Sequence, residues 1–92
     1  MKTRSITHRK ELRDDGSIVE IAIWHLPEPL PPCAHSYKYR LAYVVDGVCV
    51  VRYDNERGKG DHRHIGGGEI PYRFADLAGL LVDFRRDVED WK

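Results

Sequence analysis

The chain has 92 residues, 41% hydrophobic and 33% charged, with fifteen Lys and Arg balancing fifteen Asp and Glu. That length predicts one domain spanning residues 1–92 around a single core, and zero net charge argues against a protein that holds nucleic acid by overall charge alone. The longest uncharged apolar stretch, LAYVV, does not approach the roughly 20 residues that cross a bilayer, and the N-terminal MKTRSITHRK has no apolar run behind its positive charges, so a membrane partner and a secretory signal are both excluded and a cytoplasmic protein is expected.

Two Asp-Gly pairs, Asp15-Gly16 and Asp46-Gly47, mark hairpins, because tight primed turns need positive φ angles. The first joins a strand from about Thr3 to Arg13 with SIVEIAIWHL, in which Val19, Ile21 and Ile23 alternate against Glu20 and Ala22. The segment PEPLPPCAHS then holds four of the five prolines and reads as an extended crossover loop, since proline lacks the amide donor of a central strand. Its Cys33, like Cys49, belongs to no CxxC pair and reads as a free thiol.

The second hairpin joins YKYRLAYVV to VCVVRYDN. With Asp46 and Gly47 as its turn, the regular register pairs Val45 with Val48, Tyr43 with Val50, Leu41 with Arg52 and Tyr39 with Asp54, leaving Lys38, Arg40, Ala42, Val44, Cys49, Val51, Tyr53 and Asn55 on the other face. Residues 52–74 read as a strand end followed by a loop, because no apolar alternation precedes Ile70 and the run Gly66 to Gly68 breaks any pattern. From Asp76, an N-cap candidate, Leu77, Leu80, Leu81, Phe84, Val88 and Trp91 recur on one helical face. The expected fold is therefore α+β: an antiparallel sheet of about four strands in two hairpins, with one C-terminal amphipathic helix packed on it. Four strands leave two open edges, so a homodimer paired through an edge is a further expectation.

The chemistry concentrates at the open end of the second hairpin. Lys38, Arg40, Arg52, Tyr53, Asp54 and Asn55 converge there, beside a loop that packs Lys59, Asp61, His62, Arg63 and His64 into six positions. Phosphodiester cleavage needs a proton acceptor, a proton donor and cations for the phosphate. Imidazole serves either proton role near neutrality. His62 and His64 fit those roles, with Asp54 or Asp61 orienting a ring and Tyr53 beside them. Lys59, Arg63, Arg40 and Arg52 suit phosphate, and Tyr37, Tyr39 and Tyr53 suit stacking on unpaired bases. Two other readings stay open. His-x-His with Asp61, Asp54 and His35 offers metal ligands, and a solvated basic loop would account for the composition without any chemistry.

The succession DGSIVEIAIWHLPEP, HSYKYRLAYVVDGVCVVRYDNERGKGDHRH and PYRFADLAGLLVDF resembles the TumE-like family of small toxins from prokaryotic toxin-antitoxin pairs, from about Asp15 to Trp91. Its most specific block is RYDN followed by GKGDHRH. The matching positions are Tyr37, Lys38, Tyr39, Arg52, Tyr53, Asp54, Asn55, Lys59, Gly60, Asp61, His62, Arg63 and His64. The resemblance implies a cognate antitoxin of helix-turn-helix type, and many small toxins of such pairs act on RNA, which makes a ribonuclease the enzyme class to expect. On this reading His62, His64, Asp61, Asp54 and Tyr53 are catalytic, and Lys38, Tyr39, Arg40, Arg52, Asn55, Lys59 and Arg63 hold the RNA, without metal or cofactor. The alternatives are a non-enzymatic module binding nucleic acid or protein, and a metal-dependent nuclease built from the same His/Asp cluster.

Overall fold

A computed structural model describes residues 2–91. Six strands, β1 (Arg4–Leu12), β2 (Ile18–His25), β3 (Tyr37–Val45), β4 (Val48–Glu56), β5 (Gly60–Ile65) and β6 (Gly68–Pro71), form one antiparallel meander in sequence order, and α1 (Leu77–Asp90) packs on one of its faces. The α+β class and the single C-terminal helix agree with the sequence. The strand number does not: six replace the expected four, because the segment taken for a loop after residue 56 is a hairpin. The reason lies in what its two faces do. Alternation in β5 is between two kinds of polar residue, so no apolar period marks it as a strand.

Both Asp-Gly pairs sit in turns. Asp46 and Gly47, at φ 51° and 78°, are the two residues between Val45 and Val48. In the first turn Gly16, at φ 87°, stands in a three-residue loop closed by the Arg13 amide donating to the Ser17 carbonyl at 2.8 Å. Beyond the second turn the ladder departs from the regular register. Val45 pairs with Val48 and Val44 with Cys49, but a bulge then moves the pairs to Tyr43 with Val51, Ala42 with Arg52, Leu41 with Tyr53 and Arg40 with Asp54. The expected pairs Tyr43 with Val50, Leu41 with Arg52 and Tyr39 with Asp54 are therefore corrected by one residue. Opposed residues share a face, so a flat ladder would have set Arg52 and Asp54 among the core side chains. With one residue extruded, Tyr39, Leu41, Tyr43, Val51 and Tyr53 all turn inward, and Lys38, Arg40, Arg52 and Asp54 all turn outward.

The inward face meets the helix. Val19, Ile21, Ile23, Tyr39, Leu41, Tyr43, Val51 and Tyr53 form one buried cluster with Leu80, Phe84 and Val88, each large apolar side chain contributing roughly 1.5–3 kcal/mol by leaving water. The helix begins where the sequence placed it: the Asp76 carboxylate accepts the Gly79 amide at 2.6 Å. Trp91 caps the far end rather than continuing the helix, and its ring still packs against the core.

The crossover loop is fastened to the β4–β5 turn, where the Gly58 amide donates to the Pro31 carbonyl at 2.8 Å. Gly60 has φ 82°, and a Cβ there would lie 3.2 Å from Pro32 Cγ, whereas Gly58, at φ 85°, faces open space. Gly60→Ala therefore loses both backbone freedom and clearance, about 2 kcal/mol, and Gly58→Ala only the backbone part, about 1 kcal/mol. Urea midpoints of the two variants measure the difference. Equal values would mean that the approach to Pro32 constrains nothing.

Candidate functional site

Among the described residues the outward face of the sheet carries no helix, and there β4, β5 and β6 assemble a polar cluster. Arg52 opposes His64, Asp54 opposes His62, and His64 opposes Glu69 on β6, so these five residues share that face. His62 and His64 are two positions apart on one strand, roughly 7 Å between backbone positions.

The hydrogen bonds fix the role of one nitrogen in each imidazole. His62 Nε2 lies 2.8 Å from the Lys59 backbone oxygen, which can only accept, so Nε2 carries a proton. His64 Nε2 lies 2.9 Å from an Arg52 guanidinium nitrogen, which can only donate, so this Nε2 presents its lone pair. Glu69 stands between the rings, one oxygen 3.3 Å from His62 Nδ1 and the other 3.3 Å from His64 Nε2. Lys59 approaches the same carboxylate at 3.7 Å. Asp54 lies 3.3 Å from Arg52 Nε and 3.8 Å from His64 Nε2.

Two atoms of the cluster lack aligned partners. His62 Nδ1 and Arg52 Nε are buried without a hydrogen bond, although each has a carboxylate oxygen at 3.3 Å, too far off line to serve. Buried polar atoms are almost always paired.

Farther along this face Arg40 is half-exposed and reaches Glu20 at 3.4 Å, and the Lys38 ammonium donates to the Asn55 carbonyl. The structure thus brings together His62, His64, Asp54, Arg52, Lys59, Arg40 and Lys38. Glu69 joins them although nothing in its surroundings, a glycine-rich stretch, marked it in the sequence. The signal available was parity: on a strand, His62 and His64 share a face, and a short glycine turn returns the chain beside them.

The other five residues of the expected site point to the helix side. Asn55 is fully buried. Its side chain continues the β3–β4 ladder past the last backbone pair, accepting the Tyr39 amide at 3.0 Å and donating to the Tyr37 carbonyl at 2.7 Å. Tyr39 and Tyr53 are 0% and 1% exposed, so neither offers a ring to a base on the histidine face. Asp61 does not orient His62 or His64; it accepts from His35 Nε2 at 2.8 Å and from the Tyr39 hydroxyl at 2.6 Å. Arg63 grips Asp87 with two nitrogens, at 2.8 and 2.9 Å, and the Tyr53 hydroxyl donates to the same carboxylate. Burial, with Asp87 beside it, pushes the Tyr53 hydroxyl far above the ordinary phenol value, so it stays a donor.

Among the described residues one set of three metal-ligating groups converges, and it lies on this helix side: Cys33, His35 and Asp61, with ligand atoms within 4.8 Å of one another. Both imidazole nitrogens of His35 are already engaged, Nε2 by Asp61 and Nδ1 by the Tyr37 amide at 3.2 Å. Burial, then the neighbouring Asp61, raises the Cys33 pKa and keeps it a thiol. These groups act as a hydrogen-bonded joint between the crossover loop and β5. They are not a set of free ligands.

Among the described residues no helix is long and apolar enough to cross a membrane. A family model described as Toxin TumE matches residues 2–92. No curated protein and no solved structure matches the chain.

Proposed function

The chain belongs to the TumE toxin family, a toxin family implies an antitoxin partner, and on that premise we propose that the outward face of β4, β5 and β6 cleaves RNA by proton transfer between its two histidines, without a metal. The observation that carries this reading is the pairing of complementary ring nitrogens on one face: His64 Nε2 presents a lone pair, His62 Nε2 presents an N–H, and one carboxylate touches both rings.

In the step we infer, His64 Nε2 takes the proton of a ribose 2′-hydroxyl as its oxygen forms a bond to phosphorus. The bond from phosphorus to the 5′-oxygen breaks, and that oxygen receives the Nε2 proton of His62 acting as an imidazolium, whose Nδ1–H faces Glu69 and which is left as a neutral ring. The products are a 2′,3′-cyclic phosphate and a 5′-hydroxyl. Arg52 and Lys59 neutralise the charge gathering on the phosphate, and Arg52, in turning to it, uncovers the lone pair of His64. Glu69 then holds the imidazolium formed at His64. The convergent metal-ligand set lies on the opposite face, which favours proton transfer over metal-assisted hydrolysis at the histidines. RNA as target places the action in the cytoplasm. The partner we infer is a helix-turn-helix antitoxin, and the unpaired edge of β1 suits pairing with a second copy.

Purified protein incubated with single-stranded RNA in excess chelator tests the reading. Cleavage should persist, leave cyclic-phosphate ends, and be absent on DNA of the same sequence, which lacks the attacking hydroxyl. Cleavage that disappears with chelator and returns with zinc or manganese would assign these side chains to a metal. Binding that weakens steeply with salt but never shortens the RNA would make the face a binding module.

A further inference from the structure

Resting on that reading, we propose that Trp24 is a stacking subsite for an unpaired base of the RNA, a few nucleotides from the bond that is cut. Eight of the nine aromatic residues belong to the helix-side core or pack against it: Tyr37, Tyr39, Tyr43, Tyr53, Tyr72, Phe74, Phe84 and Trp91. Trp24 is the ninth. It opposes Lys38 on β3, in line with Ala22 opposing Arg40 and Glu20 opposing Ala42, so its indole stands on the histidine face. It is half-buried and makes no ring contact among the described residues.

Its surroundings suit a strand of nucleic acid. Ala22 and Ala42 keep the sheet low beside it, Lys38 flanks it directly, and Arg40 and Lys10 stand on the same face, with Glu20 and, opposite Arg40, Asp54 as the carboxylates among them. From Arg40 the row continues through Asp54 to His62. With neighbouring strands about 4.8 Å apart, β2 to β5 spans roughly 14 Å. A backbone lying along these cations thus reaches the histidines while a base rests on the indole. An indole stacks on any base that is free of its own neighbours, and base-paired RNA has no free base face to offer. The occupant is therefore single-stranded RNA, held with little sequence preference.

The test uses a 2′-O-methyl oligouridine, which has no attacking hydroxyl and stays intact, and the Trp91→Phe variant, whose only indole is Trp24. Single strand should quench the fluorescence saturably, and a duplex of equal length should not. Trp24→Leu keeps an apolar side chain without an aromatic face, and should weaken binding of labelled oligouridine about tenfold. For cleavable RNA it should raise KM by a similar factor with kcat within about twofold, and Trp24→Phe should recover most of the loss. Anisotropy of the labelled strand gives the same comparison without Trp91→Phe. Unchanged binding and KM in Trp24→Leu, equal quenching by duplex, or a defect confined to antitoxin binding would each overturn the subsite. The two proposals fail separately. Quenching without cleavage by wild type retains the subsite and removes the ribonuclease, whereas cleavage indifferent to Trp24 does the reverse.

Discussion

On the proposed reading, His62→Ala and His64→Ala should each lower RNA cleavage a hundredfold or more, and each should abolish the growth arrest caused by expression without the antitoxin, while the protein stays folded. Loss of a positioned general acid or base removes on the order of 10²–10⁴ in rate. The fold survives because both rings lie on the helix-free face: without His64, Arg52 keeps Asp54, and without His62, Glu69 keeps Lys59. A substrate whose leaving group needs no proton separates the two roles. It should restore most of the rate to His62→Ala, the acid variant, and none to His64→Ala, the base variant. Should both variants remain as toxic as wild type, with unchanged circular dichroism and melting, the histidine mechanism is wrong and this face is a solvated or binding surface.

Asp87→Ala has the larger effect on stability, about 3 kcal/mol, read as a lower denaturant midpoint. The carboxylate holds three donors, two from Arg63 and the Tyr53 hydroxyl. Without it the buried hydroxyl is orphaned and Arg63 is left facing the core edge unpaired. A buried pair broken on one side costs about 3–5 kcal/mol, and the lower end applies because the Arg63 side chain is 30% exposed. The same contact sets a pH dependence. Burial opposes ionisation of Asp87, but the hydrogen bonds from Arg63 and Tyr53 outweigh it, and its pKa falls below the usual 3.8. A depressed carboxylate stabilises the fold fully above its unfolded value, and that contribution is lost as pH drops through the folded value. Wild type should therefore lose stability below about pH 4, and Asp87→Ala should show a shallower acid limb. Limbs of equal steepness would mean that other carboxylates govern acid unfolding.

Much of this was legible in the sequence where apolar period and turn chemistry agree: the Asp-Gly turns, the buried alternation of Val19, Ile21 and Ile23, and the helix begun by Asp76. The register of β3 and β4 was not. A bulge at Val50 leaves no mark in a run of valines, and only the requirement that Arg52 and Asp54 leave the core explains it. β5 was hidden for a related reason. Asp61 and Arg63 are inward residues satisfied by His35, Tyr39 and Asp87, all distant in sequence, so charged residues occupy positions where a strand pattern would show apolar ones. The candidate residues were chosen by region and so came from both faces, because parity along β5 decides which of them stand together. Glu69 lies on a strand too short and too rich in glycine to be recognised.

That parity bears on how the chain can tolerate change. In β5, substitutions at odd positions are screened by whether the chain folds, whereas on the proposed reading those at even positions are screened by activity, so an inactive but intact protein would be a single step away. Length is treated differently. Adding or removing one residue in the Arg57–Lys59 turn would exchange the two sets, sending His62 and His64 toward the helix and Asp61 and Arg63 to solvent. Substitutions can therefore drift through this hairpin one at a time, whereas a one-codon insertion or deletion removes folding and activity together.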